Sequence, residues 1–110
     1  MIDWGRVAEL RDEIGAEDFG DVIDLFLDEV EGEIASLQSG CPKEELESKL
    51  HFLKGSALNL GFNSFSNLCQ AGETAAASGD YDTIDLKSTL DSFAASKAAF
   101  IDGLGKLDAT

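Results

Sequence analysis

Leu50-His51-Phe52-Leu53-Lys54-Gly55-Ser56-Ala57-Leu58-Asn59-Leu60-Gly61 holds the only histidine of the chain. Leu46, Leu50, Leu53, Ala57 and Leu60 recur at i, i+4, i+7, i+11 and i+14, a narrow apolar stripe of helical period. At about 100° per residue, His51 falls roughly 140° from the centre of that stripe, on the wet side or flank of the helix. Lys54 and Gly55 follow at i+3 and i+4. Imidazole, ammonium and a spot without a side chain therefore share one face. Glycine inside a helix costs about 0.5–1 kcal/mol relative to alanine. Next to an exposed histidine, that cost is explained if something bulky must approach the ring.

Working outward, the stretch is the third helix of five, over residues 43–60. A short first helix covers residues 3–14, with Asp3 as its cap and Trp4, Val7, Leu10 and Ile14 at helical spacing; Gly15 stops it. The second runs from about Asp18 to Gln38 with an inner stripe of Phe19, Ile23, Phe26, Val30, Ile34 and Leu37. Val22, Leu25 and Leu27 widen its apolar area, either as contact with the first helix or as an exposed docking patch. Ser39-Gly40-Cys41-Pro42 breaks the chain before the third helix. A fourth helix spans about 64–78, capped by Asn63 or Ser64, with Phe65, Leu68, Cys69, Gly72, Ala75 and Ala76 inward. A fifth spans about 83–107, capped by Asp82 or Thr83, with Leu86, Leu90, Phe93, Ala94, Ile101 and Leu104 as its stripe. Lys97 interrupts that stripe, and its stem is expected to snorkel past Ala94 and Ala98.

No segment alternates with period two, so no strand is expected. The fold class is all-α: an antiparallel up-down four-helix bundle with a short additional N-terminal helix packed as a lid. Residues 1–110 form a single domain, with the core bundle over about 18–107. Short turns near residues 40 and 61 set His51 level with about residue 30 of the second helix and about residue 72 of the fourth. Gln70 and Glu73 then lie at its height.

A formal charge of −14 over 110 residues argues against nucleic acid and anionic membrane surfaces as partners, and favours a monomer. Cys41 and Cys69 have no metal-ligand spacing and make no disulfide framework, so both are read as reduced thiols in a cytoplasm. Met1-Ile2-Asp3-Trp4 has neither the basic start nor the apolar run of a signal peptide. No stretch approaches the roughly 20 apolar residues of a membrane span.

A neutral imidazole is a nucleophile at one nitrogen when an acceptor holds the other as N–H. Glu73 is the first candidate acceptor and Gln70 the second. Lys54 supplies positive charge where phosphoryl oxygens would sit, and Ser56 can donate one turn on. Each residue also has an ordinary reading: a surface histidine, a solvated lysine, one acid among 22, a serine bonding back to its own turn. Gly55 is the hardest to dismiss.

The run from His51 to Gly61 resembles the signature of histidine phosphotransfer (HPt) domains of bacterial phosphorelays, His-x-Leu-Lys-Gly-Ser-small-x-x-aliphatic-Gly. The likeness continues through Leu68-Cys69-Gln70 and Glu73. It departs at Ala57, where a second serine is frequent. The resemblance implies that His51 accepts the phosphoryl group, that Lys54 stabilises it, that Gly55 admits a partner's active site, and that Glu73, with Gln70 second, orients the ring. It further implies a standalone phosphocarrier of two-component signalling, without kinase activity or cofactor of its own, using Mg²⁺ supplied by the partner. Its partners would be response-regulator receiver domains, with a hybrid sensor kinase as a further one, docking on the His51 face of the third helix and nearby second-helix surface. Two alternatives stay open: an unphosphorylated helical adaptor binding through Val22, Leu25, Leu27 and Leu58, and a hydrolase using His51 as a base.

Overall fold

A computed structural model describes residues 2–40 and 42–108, without the side chains of residues 106–108. Five α-helices follow one another: α1 (Trp4–Ile14), α2 (Ala16–Gln38), α3 (Lys43–Leu60), α4 (Asn63–Ala77) and α5 (Leu86–Asp108), with a 3₁₀ turn (Tyr81–Thr83) before α5. The only bridge of β type among the described residues is an isolated pair, Ile2 with Phe62. The long helices α2 to α5 run up and down in a body of 46 × 21 × 21 Å. The all-α bundle expected from the periodicity is what forms.

Helix ends follow local chemistry. The Asp3 carboxylate accepts from the Arg6 amide at the start of α1. Gly15 ends α1 and begins α2, so α2 starts two residues before the expected Asp18. The α4 cap is neither Asn63 nor Ser64 but Phe62, whose carbonyl accepts from the Ser66 amide at 2.9 Å. Phe62 is fully buried, and that burial fixes where the chain turns. The 3₁₀ turn delays α5, and Asp85 takes over the capping expected of Asp82 or Thr83. Its two oxygens accept from the Ser88 amide (3.0 Å) and hydroxyl (2.7 Å).

The core runs the length of the bundle: Phe19, Ile23, Leu27, Val30, Ile34 and Leu37 from α2; Leu46, Leu50, Leu53, Ala57 and Leu60 from α3; Phe65 and Cys69 from α4; Phe93 and Phe100 from α5. Two stripes differ from expectation. On α2 it is Leu27 that is buried, while Phe26 is half-buried. On α5, Ala94 and Ile101 face solvent, and Thr89, Phe93, Ser96 and Phe100 face inward. Lys97 does more than snorkel: its ammonium meets the Glu31 carboxylate of α2. Cys69 is a free buried thiol, pushed up to about 12 by burial and then by the Glu73 charge. Cys41 lies outside the described residues.

Aromatic rings close the end where α3 turns into α4. Phe62 meets Phe100 edge-on at 5.2 Å, and Phe65 meets Phe93 at 5.3 Å. Helix α1 lies over this end as a lid. The Asp3 amide donates to the Gly61 carbonyl at 2.7 Å. Gly61 has φ +78°, and a Cβ there would stand 2.7 Å from the Asp3 carbonyl oxygen, so only glycine suits the position. Trp4 stacks on Phe100 and lies directly on the bare backbone of Gly103, where a Cβ would overlap the indole. Gly103→Ala is therefore expected to lift Trp4, the single tryptophan, off α5. Its emission should shift to the red, with a loss of about 1–3 kcal/mol in stability from overpacking. Unchanged emission would mean that the lid does not rest there.

Candidate functional site

The site is built on the α3–α4 hairpin. Gly72 lets the helices approach closely, since a Cβ there would meet Leu50 Cδ1 at 2.9 Å. The adjacent Glu73 is thereby brought under His51. The cross-helix pairs His51 with Glu73 and Lys54 with Gln70 are both mirrored about Phe62, at the height that a short turn dictates.

His51 Nδ1 lies 2.7 Å from Glu73 Oε1, and Lys54 Nζ lies 2.9 Å from Glu73 Oε2. One carboxylate thus holds both ring and ammonium. Its Oε2 is shut off from solvent and faces the lysine. The Glu73 side chain is 16 % exposed and that of His51 is 68 % exposed, so the anchor is secluded while the ring is presented. An ionised carboxylate only accepts, so Nδ1 carries the proton of a neutral ring. The lone pair is then on Nε2.

The Lys54 hydrogen bond above all, with His51 adding to it, holds the Glu73 carboxyl below its ordinary value of 4.5 against the opposing effect of desolvation. A depressed carboxyl contributes stability that is complete above its unfolded value and is lost as pH falls through the folded one. The loss attributable to Glu73 is therefore expected below pH 4.5. Glu73→Gln should remove that part of the acid unfolding curve and leave the rest. An unchanged curve would count against the pairing.

Lys54 Nζ also donates to Gln70 Oε1 at 3.0 Å, and Gln70 Nε2 donates to Thr74 Oγ1 at 3.0 Å. Among the described residues, Ser56 has no hydrogen bond to this cluster; it is half-buried one turn further on. Space over Gly55 is open, with nothing among the described residues within 4 Å of where a Cβ would stand, so their packing does not require glycine there. Glu44, Glu47, Ser48, His51 and Glu73 line a shallow hollow on the other side of the ring.

The four apolar candidates for docking divide. Leu25 is 64 % and Leu58 52 % exposed, and Leu58 continues the ridge of His51 and Gly55. Val22 is half-buried. Leu27 is a correction: it is 7 % exposed and belongs to the core, because α2 turns this residue inward and not Phe26. Thr74 was not foreseen. Its one signal in the sequence is its i+4 spacing from Gln70 on a helix.

Among the described residues, no group of three or more His, Cys, Asp or Glu side chains converges to hold a metal, and no helix is long and apolar enough to cross a membrane. The Hpt domain family model matches residues 21–100. No curated protein and no solved structure matches the chain. The matched span runs from early α2 to Phe100 and takes in the whole His51 hairpin, so the chain belongs to the Hpt domain family, whose role is histidine phosphotransfer in phosphorelays.

Proposed function

We propose that His51 accepts a phosphoryl group from the aspartyl phosphate of a response-regulator receiver domain and passes it to the aspartate of another receiver. The observation that carries this reading is the Nδ1 contact to a secluded, ionised Glu73. In the forward step the Nε2 lone pair attacks phosphorus in line. The P–N bond forms, the P–O bond to the aspartate breaks, and the electron pair leaves with the donor carboxylate. The Nδ1 proton stays against Glu73, which stabilises the cationic ring that results. The exposed ring and the open space over Gly55 suit the approach of a receiver's active site.

Mg²⁺ and the acidic residues that hold it belong to the receiver in this scheme, and the chain is a carrier without kinase activity. Leu58, Leu25 and Val22 are the apolar surface offered to the partner; a hybrid sensor kinase could supply the donor receiver. An unphosphorylated adaptor is the weaker reading, because it has no use for an oriented imidazole, and Leu27 drops out of its binding patch.

The experiment is phosphoryl transfer from receiver domains carrying labelled phosphoaspartate. An acid-labile, alkali-stable label on the native protein is the expected result. A folded protein that takes no label from any of several receivers would turn the reading to the adaptor.

A further inference from the structure

The ammonium of Lys54 is held at two points by α4: Glu73 Oε2 at 2.9 Å and Gln70 Oε1 at 3.0 Å. An ammonium has three N–H donors and no acceptor. One donor is therefore committed to Gln70, and the ion pair with Glu73 Oε2 confines the ammonium from the other side, so the placing of Lys54 depends on how Gln70 is held. Gln70 can serve as one of the two points only with its carbonyl oxygen towards the lysine, because its NH₂ would set donors against donors. Gln70 is exposed, and its long side chain is free to turn unless something holds it. Thr74, one turn further along α4, supplies the hold: its Oγ1 accepts from Gln70 Nε2 at 3.0 Å. With the NH₂ engaged there, the oxygen can only face Lys54.

We propose that Thr74 is a positioning residue for phosphoryl transfer, acting through Gln70 to hold the ammonium of Lys54 towards the phosphoryl group on His51. This rests on the phosphocarrier reading above. Thr74 itself is exposed, and its hydroxyl bonds Gln70, so its role runs through that amide. Its hydroxyl sets the orientation of an amide, the amide sets the position of a cation, and the cation meets developing charge. Without the hydroxyl, Gln70 is released, Lys54 is left with its ion pair to Glu73, and the ammonium is no longer held in place by a hydrogen bond.

Phosphoramidate provides a test that needs no partner protein: Nε2 attacks its phosphorus, the P–N bond to the ring forms, and ammonia leaves. The full chain and its Thr74→Val, Thr74→Ser, Lys54→Met and Thr74→Val/Lys54→Met variants are compared for the rate of His51 labelling by phosphoramidate and by a labelled phospho-receiver. Valine matches threonine in shape and branching and removes only the hydroxyl. Thr74→Val is expected to slow labelling about fivefold, the worth of one hydrogen bond. Thr74→Ser should restore it, and Thr74→Val should add nothing in the Lys54→Met background. In the unphosphorylated protein, ¹⁵N spectra should show the Gln70 side-chain NH₂ shifted by Thr74→Val but not by Thr74→Ser, with the His51 ring nitrogens unmoved. Native-speed labelling of Thr74→Val, or an equal slowing without Lys54, overturns this proposal and leaves the phosphocarrier reading intact. A native protein that neither reagent labels on His51 overturns both.

Discussion

His51→Gln will take up no phosphoryl group from any receiver and will remain folded. Glutamine keeps an amide that can donate to Glu73, so the secluded carboxylate is not abandoned. What it lacks is a ring nitrogen with a lone pair that can form a bond to phosphorus. The loss should be total, because the chain offers no second imidazole. His51 is 68 % exposed, and exposed substitutions away from special features usually stay within about 0.5 kcal/mol. Unfolding monitored by circular dichroism should therefore superpose on the native curve while acid-labile label disappears. Retained label would place the phosphoryl group elsewhere. Loss of both label and cooperative unfolding would mean that the ring supports the bundle, contrary to its exposure.

Phe62→Ala should have the opposite profile, with a large loss of stability and the His51 chemistry preserved in whatever fraction stays folded. Phe62 is 0 % exposed and its ring meets both Phe93 and Phe100. It sits between Gly61, which receives the Asp3 amide, and Asn63, where α4 begins. Removing the ring opens a cavity under the lid where three helices and the turn meet. Buried Phe→Ala changes cost about 3–5 kcal/mol. For a domain of this size each kcal/mol is worth about 4–8 °C, so the midpoint should fall by roughly 12 °C or more. Calorimetry decides it. A fall of only a few degrees would mean that the turn end repacks around the vacancy.

Much of the site was legible because α3 carries its information locally. The stripe from Leu46 to Leu60 is narrow, so only one face can be buried and His51 must lie outside it. A short turn then fixes which α4 residues share its height, and Gln70 and Glu73 follow without any knowledge of side-chain packing. The same logic failed on α2. Val22, Ile23, Leu25, Phe26 and Leu27 cover so much of the circumference that two adjacent stripes fit the period equally well. The choice of Leu27 over Phe26 is made by the neighbours. On α5, polar Thr89 and Ser96 occupy inward positions that a hydrophobic pattern passes over, and Ser96 is fully buried with no hydrogen-bond partner for its hydroxyl among the described residues. Phe62 was missed as a cap because it acts through its carbonyl and its burial, neither of which has a residue preference. Thr74 was missed because an exposed threonine gains meaning only once Gln70 is seen to face Lys54.

The hairpin that carries the cluster also has a place in the order of folding. His51, Lys54, Gln70, Glu73 and Thr74 are joined across a single turn at Gly61, so closing their contacts confines only a short loop. The lid and the aromatic end are different. Asp3 must find Gly61, Trp4 must find Phe100, and Phe62 must find Phe93 and Phe100, all across long stretches of chain. Loop-closure entropy is met before a non-local contact rewards it, so contacts that join distant segments are the more costly ones to close. The phosphoacceptor hairpin is therefore expected to be formed early in folding and the seal over the bundle end late, and higher φ-values for substitutions in the α3–α4 hairpin than for those at Trp4 and Asp3 would be the measurement that checks it.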